Sequence, residues 1–144
     1  MRNVSNSPSD AYPHQDLTRQ IIAACFRVHN ALGYGFLESV YSRAVAIDLN
    51  SRGIAARQEV PYELTYLGAP LGRYCADLVV ESLVILEVKI GLLLDPIAVP
   101  QTLNYLRASE LPVGLIAHFG PRVTVKRVIF TRAGHTVVED PMQR

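Results

Sequence analysis

The stretch from Tyr74 to Ile90 constrains this chain more than any other. Tyr74-Cys75-Ala76-Asp77-Leu78-Val79-Val80 and Leu83-Val84-Ile85-Leu86-Glu87-Val88-Lys89-Ile90 are two mostly apolar, β-branched runs parted by Glu81-Ser82. Runs of this kind joined by a short polar break read as a hairpin buried on both faces. Three charges, Asp77, Glu87 and Lys89, interrupt it. An ionised group in so apolar a run is costly unless it is paired or holds an ion. The three therefore mark the candidate site.

Register decides whether they can meet. Residues directly opposite in an antiparallel pair project to one face, and a one-residue slip reverses every side chain. A plain two-residue Glu81-Ser82 loop would set Asp77 against Leu86 and turn it away from Glu87. Glu-Ser also suits primed turns badly, because these want Gly or Asn at positive φ. The expectation is an odd register, through a three-residue Glu81-Ser82-Leu83 connection or a bulge near Asp77, with Asp77 opposite Glu87.

The rest of the chain supplies layers for such a hairpin. Residues 1–15 are polar and aperiodic and read as a disordered tail. From Asp16, a candidate N-cap, Leu17, Ile21, Ile22, Cys25, Val28 and Leu32 recur at helical spacing up to Gly33, with His29 on the edge of the stripe. His29 reads first as a packed structural histidine and second as a group lining the site. A second helix is expected from about Leu37 to Ser51, ended by Gly53, with Glu38 and Tyr41 as neighbours in its first turns. A carboxylate there is favoured by the helix N-terminus whatever else it does.

Glu59 to Leu67 alternates as a half-exposed strand, and Gly68-Ala69-Pro70 reads as the turn into the hairpin. Asp95-Pro96 or Val99-Pro100 opens a third helix bearing Leu103, Leu106, Gln101 and Tyr105. Val113–Phe119 is a buried strand with His118 as a structural residue, and Val123–Thr131 is a last strand with Lys126 and Arg127 facing water. Residues 133–144 read as a C-terminal tail, leaving one domain over 16–132. The crossover from Ile90 to Val113 is long enough to make its flanking strands parallel. The fold class is thus α/β, a mixed sheet flanked by helices.

With 144 residues, 49% of them hydrophobic, and a net charge of +1, the chain suits a single core and carries no global field that would draw in nucleic acid or membrane. A nucleic-acid role would need a local basic groove. Twelve Arg against two Lys suit phosphate contacts but fit a compositional preference equally well. Cys25 and Cys75 lack paired spacing and read as reduced core residues. No signal-peptide pattern opens the chain, and no apolar run reaches the roughly 18 residues of a membrane span. The expectation is a cytoplasmic protein.

Glu87 and Lys89 are two apart and share a strand face. Two converging carboxylates raise one another's pKa unless a cation lies between them. An all-oxygen set suits Mg²⁺ or Mn²⁺, completed by waters and substrate phosphate. A buried acid–lysine pair without chemistry fits the same spacing. The residues alone leave both open.

Asp77, nine residues, then Glu87-Val88-Lys89 resembles the signature of the PD-(D/E)XK nuclease superfamily, and the helix–strand order resembles its restriction-endonuclease-like αβββαβ core. Gly35-Phe36-Leu37-Glu38-Ser39-Val40-Tyr41 is similar to the pattern that names the GxxExxY protein family within it, and Gln101 and Tyr105 follow at matching places. Ala76 stands where the first letter of the motif has Pro. The resemblance implies a Mg²⁺- or Mn²⁺-dependent nuclease hydrolysing phosphodiester bonds in DNA or RNA. It implies Asp77, Glu87 and the Val88 carbonyl as metal ligands, Lys89 as the catalytic lysine and Glu38 as an additional catalytic acid. Gln101, Tyr105, Tyr41 and His29 would flank the site. The fold also fits a non-catalytic module binding nucleic acid or protein. In either case, a homodimer or a partner protein would supply specificity that so small a chain lacks.

Overall fold

The structure, a computed structural model, describes residues 13–131 and 134–139, with 135–139 as backbone alone. Most of the N-terminal stretch expected to be a tail lies outside these residues. Helix α1 spans Gln15–Leu32 and α2 spans Glu38–Ser51. Asp16 is not the N-cap: His14 holds that position at φ 59, and Asp16 sits in the first turn, where the helix dipole favours an acid. Strands β1 (Ala56–Tyr66), β2 (Ala69–Val80) and β3 (Val84–Ile90) form the expected meander. Helix α3 (Ala98–Ser109) has Pro100 in its first turn and leads to β4 (Val113–Phe119) and β5 (Val123–Thr131).

The strands form one sheet in sequence order, with β3 and β4 parallel and every other pair antiparallel. The α/β class and the crossover are as expected. Two strand boundaries depart from expectation. The first hairpin turns on Leu67 and Gly68, at φ 50 and 78, with Tyr66 opposite Ala69. This is the two-residue form that needs positive φ, so Ala69 and Pro70 already belong to β2. Residues Gly134–Glu139, read from sequence as part of a tail, form β6 on β5. The open edge of β5 supplies backbone partners that no local propensity announces.

Helices α1 and α2 cover one face of the sheet, over a core of Ile21, Ile22, Tyr41, Val45, Leu78, Leu86, Leu115 and Phe119 among others. Helix α3 covers the other, where Leu106 packs with Val79, Ile85, Ile116 and Val128. Arg127 does not face water. It shares a face with Val123 and Val125, is buried, and donates from Nη2 to Thr18 Oγ1 at 2.8 Å, because strand alternation carries it under α1 while adjacent Lys126 goes the other way. Cys25 is buried, and desolvation pushes its thiol up to about 12. Cys75 is exposed rather than in the core, since it lies opposite Pro61 on the outlying β1–β2 hairpin. Both thiols are free. Among the described residues, no helix is long and apolar enough to cross a membrane.

Helix α3 approaches β4 closely over Gly114. A Cβ there would stand 2.7 Å from Thr102 Cγ2 and 3.4 Å from Leu106 Cδ2. Gly114→Ala should therefore destabilise the fold by about 1–3 kcal/mol, as overpacking does. A lower urea midpoint at unchanged m-value is the expected signature; an unchanged midpoint would show that α3 is free to move away.

Candidate active site

The central hairpin has the odd register. Val80 pairs with Val84, Val79 with Ile85 and Leu78 with Leu86, leaving Glu81-Ser82-Leu83 as the connection. Glu81 and Ser82 do take positive φ, at 53 and 56, despite being poorly suited to it. Tertiary contacts hold them there: Glu81 N donates to Ala55 O at 2.8 Å, and Ala55 N donates to Glu81 Oε1 at 2.7 Å.

Continuing that register brings Asp77 opposite Glu87, and here the backbone ladder stops. Val88 N donates to Asp77 Oδ2 at 2.7 Å, so a side chain replaces the strand partner. An irregularity near Asp77 accompanies the three-residue connection. Tyr74 and Ala76 face the α3 side, whereas Leu78 and Val80 face the α1–α2 side, although all four have the same parity. On β1, Ala56 faces α1–α2 and Val60 and Tyr62 face α3; the residue at the break is Glu59, at φ 51, which the register sets opposite Asp77. Both strands reverse their alternation at the same level. Asp77 thus sits where the two faces of the sheet become accessible to one carboxylate.

On one side, Asp77 lines a cavity of about 250 Å³ with Glu38, Ser39, Ser42, Gln58 and Glu59. Glu38 stands exposed in the first turn of α2, at the mouth of this cavity. Its position is set by the preceding loop, which Tyr41 ties down. The Tyr41 hydroxyl donates to Gly33 O at 2.6 Å and accepts from Phe36 N at 3.2 Å, while its ring, fully buried, stacks on Phe119 at 4.5 Å. Gly35, at φ 113, makes the bend between these anchors. His29 shares a hydrogen bond of 2.8 Å with Gly120 O and also stacks on Phe119, at 6.4 Å. Its contacts are thus one hydrogen bond and one ring stack.

On the other side lies Glu87, 4% exposed, on the face covered by α3. Burial is the main reason its pKa rises, to about 9; the neighbouring Asp77 carboxylate raises it further, and Lys89 opposes the shift. Glu87 Oε1 is buried with no hydrogen-bond partner. Lys89, half-buried, is two residues along the same strand face. Tyr105 on α3 stacks on Tyr74 at 3.9 Å, and Tyr74 on Tyr62 at 5.3 Å; the Tyr74 hydroxyl donates to Tyr105 O at 3.0 Å. Burial, then Glu87 and Asp77, hold the Tyr105 phenol neutral by raising its pKa. Gln101 lies one turn before Tyr105. Tyr62, Tyr74 and Glu59 escaped sequence reasoning. The pairing of Tyr62 with Tyr74 follows only once the first turn is placed at Leu67-Gly68 and the irregularity between Leu64 and Thr65 shifts the register by one residue, and nothing local marks Glu59 as a break.

The donors fit a hard cation. Two carboxylates, one buried with an orphaned oxygen, form a site whose own charge is unsatisfied. Among the described residues no three His, Cys, Asp or Glu side chains gather closely enough to hold an ion unaided. The balance would come from backbone carbonyl, water and substrate oxygens, as Mg²⁺ commonly requires.

The fold and site define an α/β protein with paired carboxylates and a lysine on adjoining central strands. A family model of the PD-(D/E)XK nuclease superfamily matches residues 15–128, and the chain belongs to that superfamily. Its members are typically metal-dependent. No curated protein matches the chain significantly. Among solved structures, the crystal structure of SSO0001 is similar at 13% identity and a TM-score of 0.40, covering 85% of this chain and 67% of the other.

Because Glu87 has a higher pKa in the folded chain than its ordinary 4.5, its contribution to stability is complete below that value and is lost as pH rises toward about 9. Without divalent ions, the unfolding free energy should fall across that window by at most about 1.4 kcal/mol per pH unit, and the melting temperature with it. Glu87→Gln should flatten the fall. Parallel melting curves for the two proteins would refute the shift.

Proposed function

We propose that this protein is a Mg²⁺- or Mn²⁺-dependent phosphodiesterase acting on DNA or RNA, of the GxxExxY type. The observation that carries the reading is the buried Glu87 carboxylate, with Oε1 unpartnered, beside Asp77. A structural ion pair would have satisfied that oxygen, whereas a site built to receive a cation leaves it open. Gly35, Glu38 and Tyr41 support the finer family reading, since glycine bend, acid and tied phenol each have a distinct physical job.

In this reading Asp77, Glu87 and the Val88 carbonyl would hold the ion. When bound, it supplies Lewis-acid polarisation of a phosphate oxygen and a more acidic water. The Val88 N–H fixes the orientation of Asp77, as partners beyond the ligands do in metal sites. Lys89 presents an ammonium on the strand face of Glu87, where it stabilises negative charge growing on the phosphate oxygens. Glu38, across the cavity from Asp77, accepts a hydrogen bond from the attacking water and orients it. Tyr105, kept neutral, donates from its hydroxyl, and Gln101 offers an amide beside it.

The lack of any three-carboxylate cluster among the described residues favours the second reading, a nuclease-fold module that binds nucleic acid or protein without cleaving it. One experiment separates the two. Purified protein with Mg²⁺ or Mn²⁺ should cleave single-stranded, duplex or structured substrates, and Lys89→Ala should lower the rate by at least about a hundredfold while calorimetry still registers the ion. Asp77→Asn and Glu87→Gln should each weaken that binding severely. Ion binding equal in all the proteins would sink the metal site; equal cleavage by Lys89→Ala would assign the activity elsewhere.

A further inference from the structure

We infer that a second cavity, next to Lys89 and walled by the loop that follows it, binds one unstacked nucleotide, so that the substrate is a single strand rather than an intact duplex. This rests on the nuclease reading and names its substrate class. The cavity measures about 400 Å³, and Leu92, Leu93 and Pro121 form its apolar walls, with His118, Arg122 and Lys126 among the remaining lining residues. A site of that size suits a small organic ligand with a few polar anchors.

Four features point to a nucleotide. First, position: His118 is the register partner of Lys89 across the parallel β3–β4 ladder, and Thr124, also lining the cavity, is the next partner on β5. Neighbouring strands lie about 4.8 Å apart, so the cavity begins one strand from the proposed catalytic lysine. A chain whose phosphate lies at Lys89 would reach it with an adjacent residue. Second, the walls: Leu92 and Leu93 are 72% and 87% exposed, an apolar surface that the described part of the chain leaves uncovered. An unstacked base is held between apolar side chains as well as aromatic ones.

Third, polarity: His118 is 6% exposed, and its Nε2 is buried without a hydrogen-bond partner. An imidazole nitrogen can donate or accept according to tautomer, which matches the mixed edge of a base. Fourth, charge: two of the fourteen Lys and Arg residues of the chain, Arg122 and Lys126, line the cavity, and phosphate is a group that such cations suit. A base stacked inside a duplex could not enter between these walls without being extruded, at a cost in unstacking and unpairing. The geometry therefore selects strands whose bases are already free.

The test reads binding with Ca²⁺ in place of Mg²⁺, so that cleavage is not required. Fluorescence anisotropy with a single-stranded oligonucleotide and its duplex should show at least about a tenfold preference for the single strand. His118→Phe, which keeps an aromatic ring but removes both ring nitrogens, and Leu93→Asp, on the exposed loop, should each lose about tenfold. On the unsubstituted protein, titration with uridine or cytidine monophosphate should shift the His118 ring proton resonances in NMR spectra, which guards against a variant that merely misfolds. Equal affinity for duplex and single strand, or unshifted His118 resonances, would overturn the subsite even if Mg²⁺-dependent cleavage were found. Loss of the nuclease reading would look different: no cleavage with Mg²⁺ or Mn²⁺, but single-strand preference and His118 shifts intact.

Discussion

The contact between Asp77 Oδ2 and the Val88 N–H governs the rest of the site. Where β2 would otherwise continue its ladder along β3, a carboxylate takes the hydrogen bond, and the buried amide is satisfied without a strand partner. The two strands are freed to diverge. Asp77 and Glu59 reverse the alternation of β2 and β1 together, so the β1–β2 hairpin keeps its own register while exchanging the face it presents. A non-glycine residue at positive φ within a strand is costly, of the order of 1–2 kcal/mol, and persists where surrounding structure compels it. Here the compulsion comes from twelve residues of β2 that must pair along β1 and still reach β3.

That reversal joins two structures that would otherwise lie on opposite sides of a sheet. On one side, the Gly33–Tyr41 segment is fixed by a phenol bonded to its own loop and stacked on Phe119, so Glu38 enters the cavity from a rigid helix start. On the other, Glu87 is held under α3 beside a column of three tyrosines. Asp77 is common to both. Burying Glu87, and then setting Asp77 beside it, lowers stability, and the raised Glu87 pKa is the physical record of that cost. Strongly shifted carboxylates of this kind cluster at functional sites.

Several features were legible in the sequence because they depend on neighbours along the chain or on one pairing step. Helical spacing announced α1 and α2; alternation announced β1; a 22-residue gap between Ile90 and Val113 required a crossover and hence parallel β3 and β4. The odd register followed from chemistry, since Asp77 and Glu87 could not meet otherwise. The turn itself was a different matter. Glu81 and Ser82 violate the local preference that argued against a primed conformation, and they do so because Ala55, distant in sequence, bonds both the backbone and the carboxylate of Glu81.

The sequence by itself thus determined the order of the elements, the layers they form and which acids and lysine share the central hairpin, because periodicity and register are properties of short stretches. Tertiary structure alone decided the rest. Arg127 is drawn beneath α1 to Thr18, β6 forms because β5 has an open edge, Tyr62 and Tyr74 extend the stack from Tyr105, and Glu59 becomes a break. Each of these outcomes depends on a partner far along the chain or on an edge left free. Such contacts arise only when the whole sheet has closed around them, and no local pattern of residues encodes where that partner will stand.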